Sequence, residues 1–310
     1  MSINWFPGHM VAASDKAKQA MAEHDVVIEV LDARCPGASA NPSIERMRLG
    51  RQRPALRVLN KADIADPAIT AQWLAWFNAQ KNTSAIAISS KKPGEAQKVI
   101  AAARKLAPHR DGGVGAADFT KALRMLIMGV PNVGKSTLIN ALLGKKSAKT
   151  GDEPAVTKVL HRYDLGRGMW LTDTPGLMWP HIKQPADGLM LAASHIIGAN
   201  AYFESDAASF LGDVLLERYP QAIAERYKVI AGEPEVDGIA LIEHIARKRG
   251  YLRNGEADFD RAAIALLADY RGGALGRISL ESPESRKAML ARQAADEGAS
   301  DAVPPEEMEE

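Results

Sequence analysis

Residues Gly129–Thr137 read GVPNVGKST, between an apolar run, ALRMLIMGV (Ala122–Val130), and a helical pattern, STLINALLG (Ser136–Gly144). The spacing G-x-x-x-x-G-K-[ST] is met by Gly129, Gly134, Lys135 and Ser136. A strand running into such a loop and out into a helix turns successive backbone N–H groups toward one point, where the helix N-terminus adds positive potential. That is a site for phosphates. The backbone from Asn132 through Val133 and Gly134 to Lys135, Ser136 and Thr137 is expected to line them. Lys135 would reach the β- and γ-phosphates, and the Ser136 hydroxyl would ligate Mg²⁺.

Downstream, DTPG (Asp173–Gly176) closes another apolar run. At a strand end behind a phosphate loop, Asp173 is expected to hold Mg²⁺ and the Gly176 amide to meet the γ-phosphate. Between the two lies KTGDEPAVTK (Lys149–Lys158), in which Thr157 is the candidate for a second hydroxyl on Mg²⁺, with Thr150 as its rival.

Upstream stands NKAD (Asn60–Asp63), after the apolar run ALRVLN, and SSK (Ser89–Lys91), after SAIAIS. A carboxylate at Asp63 can accept hydrogen bonds from both N1–H and the 2-amino group of guanine. Adenine offers neither donor there and would leave a desolvated carboxylate unpaired. Asn60 is expected to brace the loop and the base edge, and the Lys61 stem to cover the ring. Backbone N–H groups at Ser89, Ser90 and Lys91 would face the guanine 6-oxygen. These loops describe a GTPase that hydrolyses GTP to GDP, and NKAD argues against an ATP-dependent kinase built on the same phosphate loop.

The order is unusual: base reader, second base loop, phosphate loop, Thr157, DTPG. It is a cyclic permutation of the ordinary GTPase order, tolerable where chain ends lie close together. DTPG then leads almost directly into whatever follows. From about Pro185 strand signals vanish, and GLMLAASHIIGAN, ASFLGDVLLERY, GIALIEHIARKR and DRAAIALLADYR all have helical spacing. The expected architecture is a permuted α/β P-loop GTPase domain over residues 1–180 with a parallel sheet, an all-α domain over 181–290, and an acidic disordered tail over 291–310.

The composition fits. The 310 residues are 46% hydrophobic and 25% charged, with a net charge of +1. The last twenty carry seven acids and one Arg, which leaves +7 on the rest, a balance that permits nucleic-acid binding. No apolar run has the length of a membrane span, and no secretory signal stands at the start. Cys35 is the only cysteine, so a disulfide framework is excluded and a cytoplasmic location is expected.

WFPGHM (Trp5–Met10), LDARCP (Leu31–Pro36), Asn41–Pro42, NKAD, GVPNVGKSTLIN, DTPGLMWP and GRISLE (Gly276–Glu281) together resemble the ribosome biogenesis GTPase A (YlqF/RbgA) family, over roughly residues 2–280. The resemblance implies a factor in late maturation of the large (50S) ribosomal subunit, and a monomer is expected. Its partners would be the subunit precursor and its rRNA, bound through the helical domain. Many GTPases carry a water-positioning Gln after D-x-x-G; here that place is Leu177. The resemblance implies His9 as the substitute, while anchoring of the N-terminal segment or RNA contact is the other reading. Asn132 is similar to an Asn that helps bind K⁺ in cation-activated GTPases, or it only shapes its loop. Two basic clusters stand out. Arg46, Arg48, Arg51, Arg53 and Arg57 read as a solvated face, and Arg247, Lys248 and Arg249 as the RNA-contact candidates. A permuted GTPase of the small-subunit type would carry a β-barrel and a Cys/His zinc module, and a lone Cys35 speaks against it.

Overall fold

The structure, a computed structural model, describes residues 9–110, 122–144, 160–179, 182, 184–228 and 237–300. The sheet-bearing portion runs α1 (His9–Glu23), β1 (Val26–Asp32), α2 (Pro36–Ser39), α3 (Pro42–Gly50), β2 (Ala55–Asn60), α4 (Pro67–Asn78), β3 (Thr83–Ala87), α5 (Gln97–Leu106), β4 (Leu123–Met128), α6 (Lys135–Leu143), β5 (His161–Gly166) and β6 (Met169–Asp173). The strand order is β3-β2-β1-β4-β6-β5.

All neighbours pair parallel except β5, which lies antiparallel to β6 at the edge. The expected all-parallel sheet is therefore a mixed one. Only Arg167 and Gly168 separate β5 from β6, in a turn with positive φ at Gly166, Arg167 and Gly168, and so short a link can return the chain only as a hairpin.

β1, VVIEVLD, is buried along its whole length, as a central strand covered on both faces should be. Its side chains alternate between the two covers. Val26, Ile28 and Val30 join a core with α5, α6 and the helical portion, and Val27 packs with Ala17 and Met21 of α1 and Ile44 of α3. Leu31 joins Leu59, Trp73 and Phe77 beneath α4.

Glu29 is the exception to the apolar run. It pairs across the ladder with Arg57 of β2, and its Oε1 accepts the Asn41 N–H at 2.8 Å. Arg57 also reaches Glu45 of α3, which in turn holds Arg48 at 2.6 Å. The expected solvated face of the first basic cluster is corrected here: Arg48 and Arg57 are both buried, tied to carboxylates. A charge run in sequence does not reveal partners that α3 and β1 supply only on folding.

The remaining chain forms α7 (Pro185–Ala193), α8 (Glu204–Arg218), α9 (Pro220–Tyr227), α10 (Gly238–Lys248), a two-residue hairpin of β7 (Leu252–Arg253) with β8 (Glu256–Ala257), α11 (Phe259–Gly272) and α12 (Pro283–Ser300). α8 is central to this portion. A Cβ on Gly238 would stand 2.0 Å from the Ser209 carbonyl, so α10 starts against α8 at a distance only glycine allows. The apolar core is continuous from the sheet into these helices.

The expected disordered tail from residue 291 is corrected up to Ser300, which still belongs to α12. That helix is anchored at its start by Arg286, whose guanidinium meets Asp187 at 2.8 Å and Glu281 at 3.0 Å. Residues 301–310 lie outside the described residues.

Candidate nucleotide site

Because β1, β2, β3, β4 and β6 run parallel, their C-terminal ends share one edge. Asp32, Asn60, Ser89, Gly129 and Asp173 all come from those ends, where an open α/β sheet binds its ligands. A cleft of about 490 Å³ opens there, lined by Asn60, Lys61, Asp63, the Ser89–Lys91 segment and the phosphate loop from Asn132 through Gly134 to Thr137. The structure thus brings together the base reader and the phosphate loop, seventy residues apart in the chain.

The loop backbone has the conformation expected of a phosphate nest. Asn132 and Gly134 lie at φ +56° and +98°, and a Cβ on Gly134 would collide with Asn60 Nδ2 at 2.3 Å. That near contact reflects the role of Asn60. It donates through Nδ2 to the Val133 carbonyl (2.8 Å) and accepts the Ser90 N–H on Oδ1 (3.0 Å). One buried amide side chain fastens the NKAD, SSK and phosphate loops together. Lys61 adds a second tie, donating to the Asn132 carbonyl at 3.0 Å and pairing with Asp32 at 2.8 Å. Burial lowers the Lys61 pKa. Asp32, wholly buried between Lys61 and Arg34, stays well below the usual carboxylate range because both cations offset its desolvation.

Two of the three N–H groups expected to face guanine are committed within the protein. Ser90 donates to Asn60, and Ser89 donates to Glu95 Oε2 at 2.7 Å. Both bonds shape the turn that carries Lys91 into the cleft.

On the phosphate side, Lys135 Nζ donates to the carbonyls of Gly129 (2.9 Å) and Val130 (2.8 Å), and burial brings its pKa down to about 8. Asp173 ends β6 with its Oδ1 buried and without a hydrogen-bond partner. Burial pushes its carboxyl up to about 6, against the pull of Lys135 and His161. A buried carboxylate oxygen without a donor, beside the Ser136 hydroxyl's loop, suits a hard cation such as Mg²⁺. Among the described residues no cluster of three His, Cys, Asp or Glu forms a metal site. Thr157 and its rival Thr150 lie outside the described residues.

The DTPG segment is held from both sides. Thr174 donates through Oγ1 to the Ile127 carbonyl at 3.0 Å, and the Leu177 N–H to the Gly129 carbonyl at 3.2 Å. Gly176 lies against Pro131, where a Cβ would stand 3.2 Å from the ring. The Leu177 side chain is buried among Met21, Ile44 and Met128, turned away from the cleft. Its carbonyl accepts from Asn41 Nδ2 at 2.8 Å, so Asn41, which also caps α3 through Ser43, clamps the end of DTPG. Sequence reading quoted Asn41 and assigned it nothing.

Other residues were missed altogether. Ser194, His195 and Arg271 line the cleft from the helical portion. Arg34 is buried, pairs with Asp32, donates to the Ser194 carbonyl at 3.0 Å and lies over the Tyr270 ring. No spacing rule links these residues, since only the fold brings α7 and α11 to the sheet edge. His9 is the first residue of α1, but its side chain is not described. Of the three basic RNA candidates, Arg249 is committed to Asp269 (2.7 Å) and stacks over Tyr227, while Arg247 and Lys248 are exposed.

Residues 124–228 match the family described as "50S ribosome-binding GTPase". That match starts on β4 and leaves out NKAD and SSK, as a permuted order requires. A ribosome biogenesis GTPase A from Bacillus cereus is 40% identical over 287 residues, covering 92% of this chain and 95% of the relative. The chain belongs to the ribosome biogenesis GTPase A family. Another member, from Thermotoga maritima, is 32% identical over 91% of this chain. The GNP-bound crystal structure of YlqF from T. maritima has the same fold at 27% identity, with a TM-score of 0.59, over 88% of this chain and 99% of that one. As a ribosome biogenesis GTPase A family member the chain is a GTP-hydrolysing enzyme, and its permuted motif order is the family's. Guanine nucleotide and Mg²⁺ are the ligands this fold implies.

Proposed function

We propose that this chain is a GTP-dependent assembly factor acting late on the precursor of the large (50S) ribosomal subunit. The observation that carries the reading is Asn60, whose one side chain fastens the base-reading loops to the phosphate loop at a single cleft. In it Asp63 takes N1–H and the 2-amino group of guanine, the Lys61 stem covers the ring and the Lys91 N–H faces the 6-oxygen. The phosphates lie over the amides from Asn132 to Thr137. Lys135 leaves its two carbonyls for the β- and γ-phosphates, and the Gly176 N–H meets the γ-phosphate. Ser136 and Asp173, with Thr157, would hold Mg²⁺, which when bound would offset negative charge on the phosphates.

Leu177 supplies nothing to the attacking water, so hydrolysis by the free protein is slow and the ribosomal particle stimulates it. His9, at the start of α1, is the residue we place on that water. Asn132, at positive φ in the phosphate loop, marks the position beside which a K⁺, taken by its side-chain oxygen, would add positive charge. Arg247 and Lys248 are the rRNA contacts, whereas Arg249 braces α10 on α11. The protein acts as a cytoplasmic monomer; among the described residues no helix is long and apolar enough to cross a membrane.

Co-sedimentation with separated ribosomal particles tests this. With a GTP analogue the chain should travel with the large-subunit precursor, with GDP much less, and with small subunits in neither state. Replacing Arg247 and Lys248 with Ala should weaken binding and flatten its salt dependence while free-protein hydrolysis persists. Equal binding of the GTP-analogue and GDP forms would overturn the proposal.

A further inference from the structure

GRISLE, near the end of the helical portion, has no part in the site described so far. Between α11 and α12 it runs back across the sheet edge and binds the base-reading loop residue by residue. Arg277 donates through Nη2 to the Ala62 carbonyl at 2.9 Å and through Nε to the Ala65 carbonyl at 3.1 Å, so one guanidinium brackets Asp63 and Ile64. Ile278 N–H donates to the Ile64 carbonyl at 3.1 Å. Ser279 Oγ accepts the Asp66 N–H at 3.1 Å. The Ile64 side chain packs on the C-cap of α11, where a Cβ on Gly273 would stand 2.9 Å from it. Further along, Leu280 N–H donates to the Arg34 carbonyl at 2.7 Å, and Glu281 accepts the Ala38 N–H on Oε1 at 2.7 Å and the Trp73 indole N–H on its carbonyl.

Arg277 lines a different cleft, between α8, α9 and the segment after α11, and is not among the residues lining the nucleotide cleft. Its contacts with the loop are all to backbone carbonyls. Apart from this strap, the turn at Asp63 is closed by Ile64 N–H donating to the Lys61 carbonyl at 3.1 Å and tied to the residue after β3 by Ala62 N–H donating to the Ile88 carbonyl at 3.0 Å. Neither bond fixes the direction of the peptide units on the far side of Asp63. A carboxylate that must accept from two adjacent donors on a rigid base tolerates little rotation of that backbone.

We propose that Arg277, Ile278 and Ser279 are positioning residues for guanine recognition: by holding the carbonyls of Ala62, Ile64 and Ala65 and the amide of Asp66, the helical portion aims Asp63 at the base. Discrimination for guanine is then a property of both portions docked together. The inference rests on Asp63 being the base reader, and its test separates the two claims.

Calorimetric titration of the full-length chain with Mg·GDP and Mg·IDP reads the aim of Asp63, because inosine keeps N1–H and lacks the 2-amino group. The wild-type chain should prefer GDP by about tenfold or more, the scale of one charge-assisted hydrogen bond. Asp63→Asn should abolish that preference; if it does not, the base-reader assignment fails. Arg277→Ala should weaken GDP binding by about tenfold and cut the GDP-to-IDP ratio at least threefold or so. Arg277→Lys, which keeps the charge and reaches only one carbonyl well, should fall between. A purely structural Arg277 would lower thermal stability and leave the ratio at its wild-type value; that result, with Asp63→Asn behaving as expected, overturns the strap. Should Arg277→Ala fail to fold, the ratio in Arg277→Lys decides on the same terms.

Discussion

The two halves of the cleft are built on opposite plans. On the base side the groups that fasten the loops are already paired: Asn60 on Val133 and Ser90, Lys61 on Asp32 and Asn132, Ser89 on Glu95, and the loop carbonyls on the strap. On the phosphate side Lys135 rests on two carbonyls of its own loop, while Asp173 Oδ1 and Asn132 Nδ2 are buried without hydrogen-bond partners. The first arrangement is pre-organised and gives selectivity without adjustment. The second holds charge at a cost in the free protein, and nucleotide with Mg²⁺ offsets that cost. Affinity should come mainly from the phosphate half, and the choice of base from the other.

The largest effect should follow removal of the phosphate cation. Lys135→Ala should lower GTP and GDP affinity by about 100-fold or more, since a charge-assisted contact to two phosphates goes with it. Nucleotide-free stability should hardly fall, because a desolvated ammonium goes too. A large drop in Tm without nucleotide would show that Lys135 is structural and break the contrast.

Next comes Asp63→Asn. Guanine nucleotides should bind about 100-fold more weakly, and xanthine nucleotides should gain, because an amide can donate to the 2-oxo group. Competition between GDP and XDP measures it. Unchanged GDP affinity would remove Asp63 from the base.

Asp173→Asn has a smaller effect of two signs. With its carboxyl raised to about 6 by burial, the native protein holds a proton that the unfolded chain has released above pH 4. The contribution of this group to stability is therefore fullest at low pH and is lost as pH rises through 6, at a cost of up to ~3 kcal/mol. At pH 8 without nucleotide the Asn variant should be as stable as the parent or more so, and with Mg·GDP it should gain far less. Paired melting curves at pH 5 and pH 8 check this. Smallest is the cation effect: hydrolysis should be a few times faster in K⁺ than in Na⁺, a difference of about 1 kcal/mol in barrier, and Asn132→Ala should erase it.

Much of this site was legible in the sequence because its chemistry is local. Gly129–Ser136, Asp173–Gly176, Asn60–Asp63 and Ser89–Lys91 each sit where an apolar strand ends, and the parallel order of those strands carries them to one edge. Helical spacing likewise marked α7, α8, α10 and α11. What escaped depends on partners far apart in the chain. Asn60 was expected to brace its loop, but that the brace runs to Val133 and Ser90, 73 and 30 residues away, required the fold. Arg57 looked like solvent-facing charge because Glu29 and Glu45 are matched to it only by β-ladder register and the placement of α3, whereas Arg48 pairs with Glu45 three residues back in its own helix. Leu177 was seen not to serve hydrolysis, but its burial beneath α1 and the clamp from Asn41 required the fold. The strap over Asp63 joins residues more than two hundred apart, and no local pattern signals it.

Amide hydrogen exchange, followed at peptide resolution with and without Mg·GDP, tests the contrast most directly. The base-side amides of Ala62, Ile64, Asp66 and Ser90 should exchange slowly already in the free protein, since each has a partner there. Those of the phosphate loop from Asn132 to Ser136 should be the ones that slow on adding nucleotide. Fast exchange across residues 60–66 and 88–91 in the free chain, slowed only by GDP, would contradict the account, because the base side would then be assembled by its ligand.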